Sequence, residues 1–78
     1  MATIGFFCFM EIKVRFGLRL KELRKKAGLS QEKFALECGL DRTYIAGIES
    51  GKRNISLESI EKIANGLKIS LNELFNNL

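Results

Sequence analysis

The sequence predicts an all-α fold, one compact domain of five helices, on three observations. The 78 residues contain no proline, so no position lacks the backbone N–H that a helix interior needs. Apolar residues recur at offsets of three and four, the spacing of one helix face. Glycines and capping residues separate these segments. We expect an apolar N-terminal extension or arm over residues 1–12 and the helical domain over residues 13–78.

The first helix is expected from about residue 13 to residue 27. Its apolar positions follow one another at offsets of four, three and four: Phe16, Leu20, Leu23 and Ala27. Basic residues fill the other faces, and three of them stand in the last turn, where cations complement the helix dipole. Gly28 is expected to end this helix.

The second helix is expected to begin after Ser30, whose hydroxyl can accept a hydrogen bond from a free backbone N–H. Its apolar face consists of Phe34, Ala35 and Cys38. Gly39 then breaks the pattern, and glycine adopts the left-handed conformation of a tight turn without steric cost. Ala35 is small where this helix is expected to press against the next one.

A third helix is expected after Asp41, the predicted N-cap, with Ile45 and Ile48 facing the core. Two short helices joined by a glycine-containing turn form a helix-turn-helix, the unit whose second helix enters the DNA major groove. An ordinary helical hairpin with no DNA role shares part of this pattern. The joint occurrence of Ala35, Gly39 and Ile45 at the required offsets favours the helix-turn-helix.

Two further helices are expected towards the C-terminus. Ser56 is the predicted cap of the fourth, whose apolar stripe is expected in the core: Leu57, Ile60, Ile63, Ala64 and Leu67. Ser70 and Glu73 form a predicted capping box, in which each side chain binds the other residue's backbone N–H, at the start of a last short helix.

Charge and composition exclude several classes of function. Residues 1–53 hold 11 Lys and Arg against 6 Asp and Glu, and residues 54–78 hold 2 against 3, so positive charge accompanies the helix-turn-helix. The chain has no histidine and two cysteines, Cys8 and Cys38, too few ligands for a zinc site. No nucleophile–base pair, carboxylate pair or phosphate-binding loop stands out. We expect no enzyme, no cofactor, no metal, no membrane partner and a cytoplasmic location.

Residues 1–9, MATIGFFCF, are apolar and aromatic, unlike the rest of the chain. They are too short to span a membrane and lack the basic start and cleavage site of a signal peptide. One interpretation is an arm or strand that packs on the domain or on a partner. The other, which we favour slightly, is that Met10 is the functional start.

A set of residues around the predicted turn carries a family resemblance: Asp41-Arg42-Thr43-Tyr44-Ile45, Gly47-Ile48-Glu49, Gly51, Arg53-Asn54 and Ser56-Leu57. With them, residues 18–75 resemble the lambda-repressor-like (Xre-type) helix-turn-helix family, most closely the controller proteins of restriction–modification systems. The resemblance implies a lambda-repressor-like fold and a sequence-specific regulator that binds a palindromic operator in double-stranded DNA as a homodimer. It also implies control of restriction–modification genes, including its own.

The resemblance further implies which residues meet DNA. In this family the first turn of the third helix enters the major groove, and the glutamine at the position of Gln31 approaches a phosphate. Arg42 can donate two parallel bonds to guanine, worth about 1–3 kcal/mol of discrimination. Tyr44 is compatible with a phosphate contact, a base contact or packing that senses groove shape. The predicted DNA-binding residues are Gln31, Arg42, Thr43, Tyr44, Ala46, Gly47, Lys52, Arg53 and Asn54.

Small size is the notable property of Ala46 and Gly47, since it lets the helix approach DNA closely but leaves few side chains to read bases. Backbone and side-chain donors of Lys52, Arg53 and Asn54 are expected to hold phosphates. Family resemblance also implies a structural ion pair between Arg24 and Glu49, and a homodimer contact through the last helix: Leu67, Ile69, Leu71, Leu74 and Phe75.

Two other functions fit the same sequence less well. One is an antitoxin-type protein-interaction module that also binds DNA to regulate its own gene; no long extra segment is present to wrap a toxin, unless residues 1–9 serve. The other is an RNA-binding or purely structural helical domain, which is the least favoured.

Overall fold

The computed structural model describes residues 11–76 and residue 78, and the regular structure of these residues is entirely helical. Five helices follow one another: α1 (Ile12–Lys26), α2 (Gln31–Cys38), α3 (Arg42–Glu49), α4 (Leu57–Leu67) and α5 (Leu71–Leu74). The predicted all-α fold of five helices is therefore confirmed. The predicted arm up to residue 10, including Cys8, lies outside the described residues.

Each helix contributes a side chain that is 0% exposed to one shared core: Leu20, Phe34, Ile45, Ile63 and Leu74. Burying a side chain of this size stabilises a fold by about 1.5–3 kcal/mol. Short helices of this kind are marginal alone, so their order comes from this shared packing. The core thereby fixes how α2 and α3 stand relative to α1 and α4.

The predicted N-caps are present at the starts of the last four helices. The side chains of Ser30, Asp41, Ser56 and Ser70 each accept a hydrogen bond from a backbone N–H two or three residues further on. The capping box at Ser70 is only half formed among the described residues, because the Glu73 carboxylate pairs with Arg19, 3.3 Å away, and not with the N–H of Ser70. The full capping box was therefore a wrong prediction.

The turn between α2 and α3 has the geometry that the sequence predicted. Gly39 has φ 71° and ψ 32°, the left-handed region. The N–H of Leu40 donates to the carbonyl of Ala35 at 2.9 Å, and the N–H of Gly39 donates to that of Leu36 at 3.2 Å. This pair of bonds is the Schellman pattern that ends a helix at a left-handed glycine.

Two arginines of α1 hold the end of the described chain. Arg19 donates to the carbonyl of Glu73 at 2.8 Å, and Arg15 donates to the carbonyl oxygen of Leu78 at 2.6 Å. Cations beside the last carbonyls of a helix complement its dipole. Part of the positive charge counted in residues 1–53 thus stabilises α5 and is not available to DNA.

The apolar stripe predicted for α4 is correct except at its first residue. Ile63 and Ala64 are buried, and Ile60 and Leu67 pack against the core, but Leu57 is 85% exposed. Side chains on a helix lean towards its N-terminus. Leu57 is the first residue of α4, so its side chain projects beyond the N-terminal end of the helix.

None of the helices among the described residues is both long enough and apolar enough to cross a membrane.

Candidate nucleic-acid interface

The helix α3 is anchored by one face and leaves its first turn open. Ile45 and Ile48 are 0% and 1% exposed, so they tie α3 to the core. Arg42 and Thr43, which begin the helix, are both exposed. Ala46 lies half-buried one turn after Arg42. The arrangement presents the first turn of α3 to the surroundings while its backbone stays fixed.

Asp41 caps this exposed turn and engages Thr43 twice. Its Oδ2 accepts hydrogen bonds from the backbone N–H of Thr43, at 3.1 Å, and from the Thr43 hydroxyl. These bonds, the side-chain one foremost, hold the pKa of Asp41 below its ordinary value. The hydroxyl proton of Thr43 is therefore committed to the cap, and what it can offer DNA is its oxygen lone pairs and its methyl group.

A buried ion pair joins α1 to the end of α3. Arg24 Nε donates to Glu49 Oε2 at 2.6 Å, and Arg24 Nη2 donates to Glu49 Oε1 at 3.1 Å. Both residues are 8% exposed. Arg24 also donates to the carbonyl of Leu29 at 2.7 Å. The pair expected from the family resemblance is thus present, with the two parallel bonds that suit guanidinium and carboxylate.

Gln31, at the start of α2, joins the same cluster. Its Nε2 donates to Glu49 Oε1 at 3.0 Å, and the residue is half-buried. The carboxylate of Glu49 therefore holds α1, α2 and α3 together. Gln31 keeps its side-chain oxygen and a second amide hydrogen beyond this bond, so a phosphate contact through that hydrogen remains open to it.

The loop after α3 folds back onto that helix. The backbone N–H groups of Lys52 and Arg53 both donate to the carbonyl of Gly47, at 3.0 and 3.2 Å. These two N–H groups are therefore not free for phosphate, contrary to the expectation of backbone donors at both positions. The side chains of Lys52, Arg53 and Asn54 are exposed.

Arg53 lies along α3 beside Tyr44. Its guanidinium carbon is 5.2 Å from the centroid of the Tyr44 ring, within the range of a cation–π contact. Its Cγ is so close to Gly47 that a Cβ there would lie 2.7 Å away. The structure thus brings Tyr44, Gly47 and Arg53 into one group next to Arg42 and Thr43.

The described part of the chain has no obvious place for a metal ion. No group of three or more potential ligands among His, Cys, Asp and Glu occurs within it. Cys38 is a buried free thiol, and burial raises its pKa to about 11. A thiol in this state packs as a small apolar side chain.

The predicted dimer residues differ in exposure. Leu71 and Phe75 are 48% and 40% exposed, and Leu67 and Ile69 are half-buried. Leu74 is 0% exposed, so it has no surface to offer to a second chain. Its assignment to the contact needs correction, because Leu74 packs into the shared core and so leaves Leu71 and Phe75 as the exposed apolar residues around α5.

Sequence reasoning missed two features of this surface. The Tyr44–Arg53 contact joins residues nine positions apart across a loop, and Gln31 meets Glu49 across 18 positions. In each case the two residues lie in different elements, so the periodicity of one helix does not indicate the contact. The glycine at position 47 was the available signal, because a glycine inside a helix usually has a packing or functional reason.

Comparisons with known proteins agree with this geometry. A family model described as Helix-turn-helix (HTH_3) matches residues 20–74. The chain is 58% identical over 69 residues to the control protein C.MunI from a Mycoplasma species, covering 87% of this chain and 93% of that protein. It is 47% identical over 64 residues to the control protein C.BamHI from Bacillus amyloliquefaciens, covering 81% and 79%.

A solved structure is similar in sequence and in shape. The crystal structure of the restriction-modification controller protein C.AhdI from Aeromonas hydrophila superposes with a TM-score of 0.79 at 54% identity. The match covers 81% of this chain and 96% of that one.

Proposed function

The chain belongs to the helix-turn-helix (HTH_3) family, and from that premise we propose that it is a sequence-specific transcriptional regulator that binds a palindromic operator as a homodimer. The same proposal assigns it the control of restriction–modification genes, including its own. A DNA-binding regulator, and not an enzyme, is what the family relationship indicates. The proposal includes a cytoplasmic location, because the control proteins that the chain resembles come from bacteria, whose DNA lies in the cytoplasm.

The observation that carries the proposal is the exposed first turn of α3 on a fixed backbone. Arg42 stands at the first position of the helix, after the Asp41 cap, with its side chain exposed. An arginine there can donate to the O6 and N7 atoms of one guanine. Ile45 and Ile48 hold the helix behind it. A side chain that reads a base must be exposed and must also be held in a fixed position, because movement of the helix would weaken the discrimination between bases.

Phosphate contacts are assigned to residues that flank this turn. Gln31 stands at the start of α2, where the free N–H groups of the helix also favour an anion. Lys52, Arg53 and Asn54 lie beyond the other end of α3 with exposed side chains. Contacts of this kind fix the position of the protein on the duplex but carry no sequence information by themselves.

The homodimer is proposed from the apolar surface around α5. Leu71 and Phe75 are 48% and 40% exposed. The ring of Phe75 packs against that of Phe16, with centroids 5.5 Å apart and the planes tilted by 36°, and it borders an open apolar groove of about 190 Å³. A chain of this size gains stability when such surface is covered by a second copy. A twofold dimer would present two copies of α3 to half-sites ~34–36 Å apart, one turn of DNA.

The test is selection from a random duplex-DNA pool at near-physiological salt. Wild type is run beside Arg42→Ala and beside Lys62→Ala, which removes an exposed cation from α4. We expect a palindromic motif with wild type and with Lys62→Ala, and a weaker or relaxed motif with Arg42→Ala. The selected motif should also occur upstream of the protein's own gene.

A different outcome would reject the proposal. If wild type enriches no motif and its binding simply fades as salt rises, the attraction is to phosphate alone. The antitoxin-type protein-interaction module would then become the preferred function.

A further inference from the structure

Gly47 sits in the interior of α3 with no backbone reason to be glycine. Its φ is not positive, unlike those of Gly28, Gly39 and Gly51. Glycine is also disfavoured in a helix interior because of the backbone freedom that it loses there. A neighbouring group that leaves no room for a side chain would explain why this residue is glycine.

That neighbour is the side chain of Arg53. A Cβ at Gly47 would lie 2.7 Å from Arg53 Cγ, 3.5 Å from its Cβ and 3.6 Å from its Cδ. The aliphatic part of Arg53 thus crosses α3 directly over Gly47. The backbone of Arg53 is fixed at the same place, since its N–H donates to the carbonyl of Gly47 at 3.2 Å.

The charged end of Arg53 then reaches the first turn of α3. Its guanidinium carbon lies 5.2 Å from the ring centroid of Tyr44, which precedes Gly47 by three residues and so lies on the same side of the helix. Its charge is also near enough to Asp41 to contribute to the lowered pKa of that carboxyl. The Arg53 side chain is exposed, and among the described residues its guanidinium has no hydrogen-bond or salt-bridge partner, so its N–H donors are open to a ligand.

We propose that Gly47 is a positioning residue, whose missing side chain lets Arg53 lie across α3 and stack on Tyr44, so that the two reach a DNA phosphate as one preassembled unit. This rests on the proposed DNA-binding function. A stacked arginine has already lost much of its rotamer freedom, so less is lost when it binds. Arg42 then reads a base, and the Tyr44–Arg53 unit sets the register on the backbone.

The sequence alone suggested a different role for Gly47, namely close approach of α3 to DNA, and a double-mutant cycle separates the two roles. Affinity for the selected operator is measured for wild type, Gly47→Ala, Arg53→Ala and the double variant. We expect Gly47→Ala and Arg53→Ala each to weaken binding roughly tenfold or more, the scale of a hydrogen bond to a charged group. In the Arg53→Ala background, Gly47→Ala should then cost nothing.

Salt dependence and helix content complete the DNA measurements. Both single variants should lower the slope of log K against log salt by about one for each phosphate that the protein no longer neutralises, with the selected motif unchanged. Because alanine favours a helix more than glycine does, Gly47→Ala should keep its circular dichroism spectrum and thermal midpoint. A relaxed motif in Arg53→Ala would assign that residue to base reading and overturn the proposed phosphate role.

A measurement without DNA keeps the inference separate from the proposed function. Tyr44 is the chain's one tyrosine, and there is no tryptophan, so tyrosine fluorescence and the tyrosine ring NMR signals report on this residue alone. We expect upfield ring-current shifts of the Arg53 side-chain protons in wild type and in Tyr44→Phe, abolished in Gly47→Ala and in Tyr44→Leu.

Three outcomes would contradict different parts of this inference. Arg53 protons at random-coil positions in wild type would refute the stack, whatever the protein does with DNA. An equal cost of Gly47→Ala in both backgrounds would assign Gly47 to close DNA approach and refute its positioning role. Wild type with the ring-current shifts but no selected motif would refute the proposed function and the phosphate role, leaving only the placement of Arg53.

Discussion

Gly17 of α1 lies directly against the backbone of Ile48 in α3. A Cβ at Gly17 would be 2.4 Å from the Ile48 carbonyl oxygen and 2.8 Å from that of Glu49. A backbone carbonyl cannot turn aside as the tip of a side chain can, so only glycine permits this separation of the two helices. The position of α3, the proposed DNA-contacting helix, is thus set in part by the absence of a side chain on α1.

Gly17→Ala should therefore destabilise the fold. We expect the free energy of unfolding to fall by about 1–3 kcal/mol, the usual cost of forcing extra atoms into a packed contact, less the small gain in helix propensity. Urea unfolding measures it. Leu18→Ala, one residue along and 54% exposed, should change stability by less than about 0.5 kcal/mol. Equal stabilities for the two variants would contradict the close contact.

The Arg24–Glu49 pair should behave as a buried ion pair in mutagenesis. Glu49→Leu leaves the charge of Arg24 buried without its partner and should cost about 3–5 kcal/mol in urea unfolding. Arg24→Met with Glu49→Leu should cost less than the two single changes added together. Glu11→Ala, which breaks an exposed pair with Lys13, should cost at most about 1 kcal/mol. If the loss of unfolding free energy in the double variant equals the sum of the two single losses, Arg24 and Glu49 do not act as a unit.

Asp41 should make the first turn of α3 sensitive to acid. Its folded-state pKa is lowered from 3.8, so its stabilising effect is complete above that value and disappears as pH falls through the folded-state pKa. A carboxyl NMR titration of Asp41, read with the amide shift of Thr43, checks this. Asp41→Asn can still cap and should remove the acid sensitivity of the Thr43 amide. An Asp41 pKa at or above 3.8 would contradict the capping bonds.

Cys38 should be unreactive while the domain is folded. With a pKa of about 11, roughly one thiol in a thousand is ionised at pH 8. Alkylation by iodoacetamide, measured in Cys8→Ser so that a single thiol remains, should be slow in buffer and fast in urea. Gly66→Ala, whose Cβ would lie 2.5 Å from Cys38 Sγ, should lower stability and speed alkylation. Similar rates with and without urea would show that the thiol is accessible.

Leu71→Glu should prevent dimerisation while the fold persists. Leu71 is 48% exposed at the edge of α5, so a charge there is tolerated in the single chain but not in an apolar contact. Sedimentation equilibrium should give a monomer for Leu71→Glu and a dimer for wild type. Leu57→Glu, at a leucine 85% exposed outside the proposed contact, should remain a dimer. A dimeric Leu71→Glu would place the contact elsewhere.

The sequence by itself determined the features that depend on neighbours along the chain. Ser30 and Asp41 cap their helices, and Gly39 has the left-handed conformation that its turn needs, because caps and turns involve atoms only a few residues apart. Helix faces were equally predictable, since Phe34 and Ile45 follow the helix period into the core. Family resemblance added the Arg24–Glu49 pair, which spacing alone does not indicate.

Tertiary structure alone decided how distant residues meet. Gly17 faces the end of α3 and Arg53 crosses Gly47, although nothing near either glycine in the chain marks the contact. Leu57 points outward, against the core role that the apolar pattern assigned to it, and Leu74 points inward, against the dimer role that family resemblance implied. A periodic pattern says which face of a helix is apolar, but which part of that face finds a neighbour depends on where other helices end. Contacts between helices that are far apart in the sequence decide which residues of the apolar face are buried, and a local pattern carries no information about those contacts.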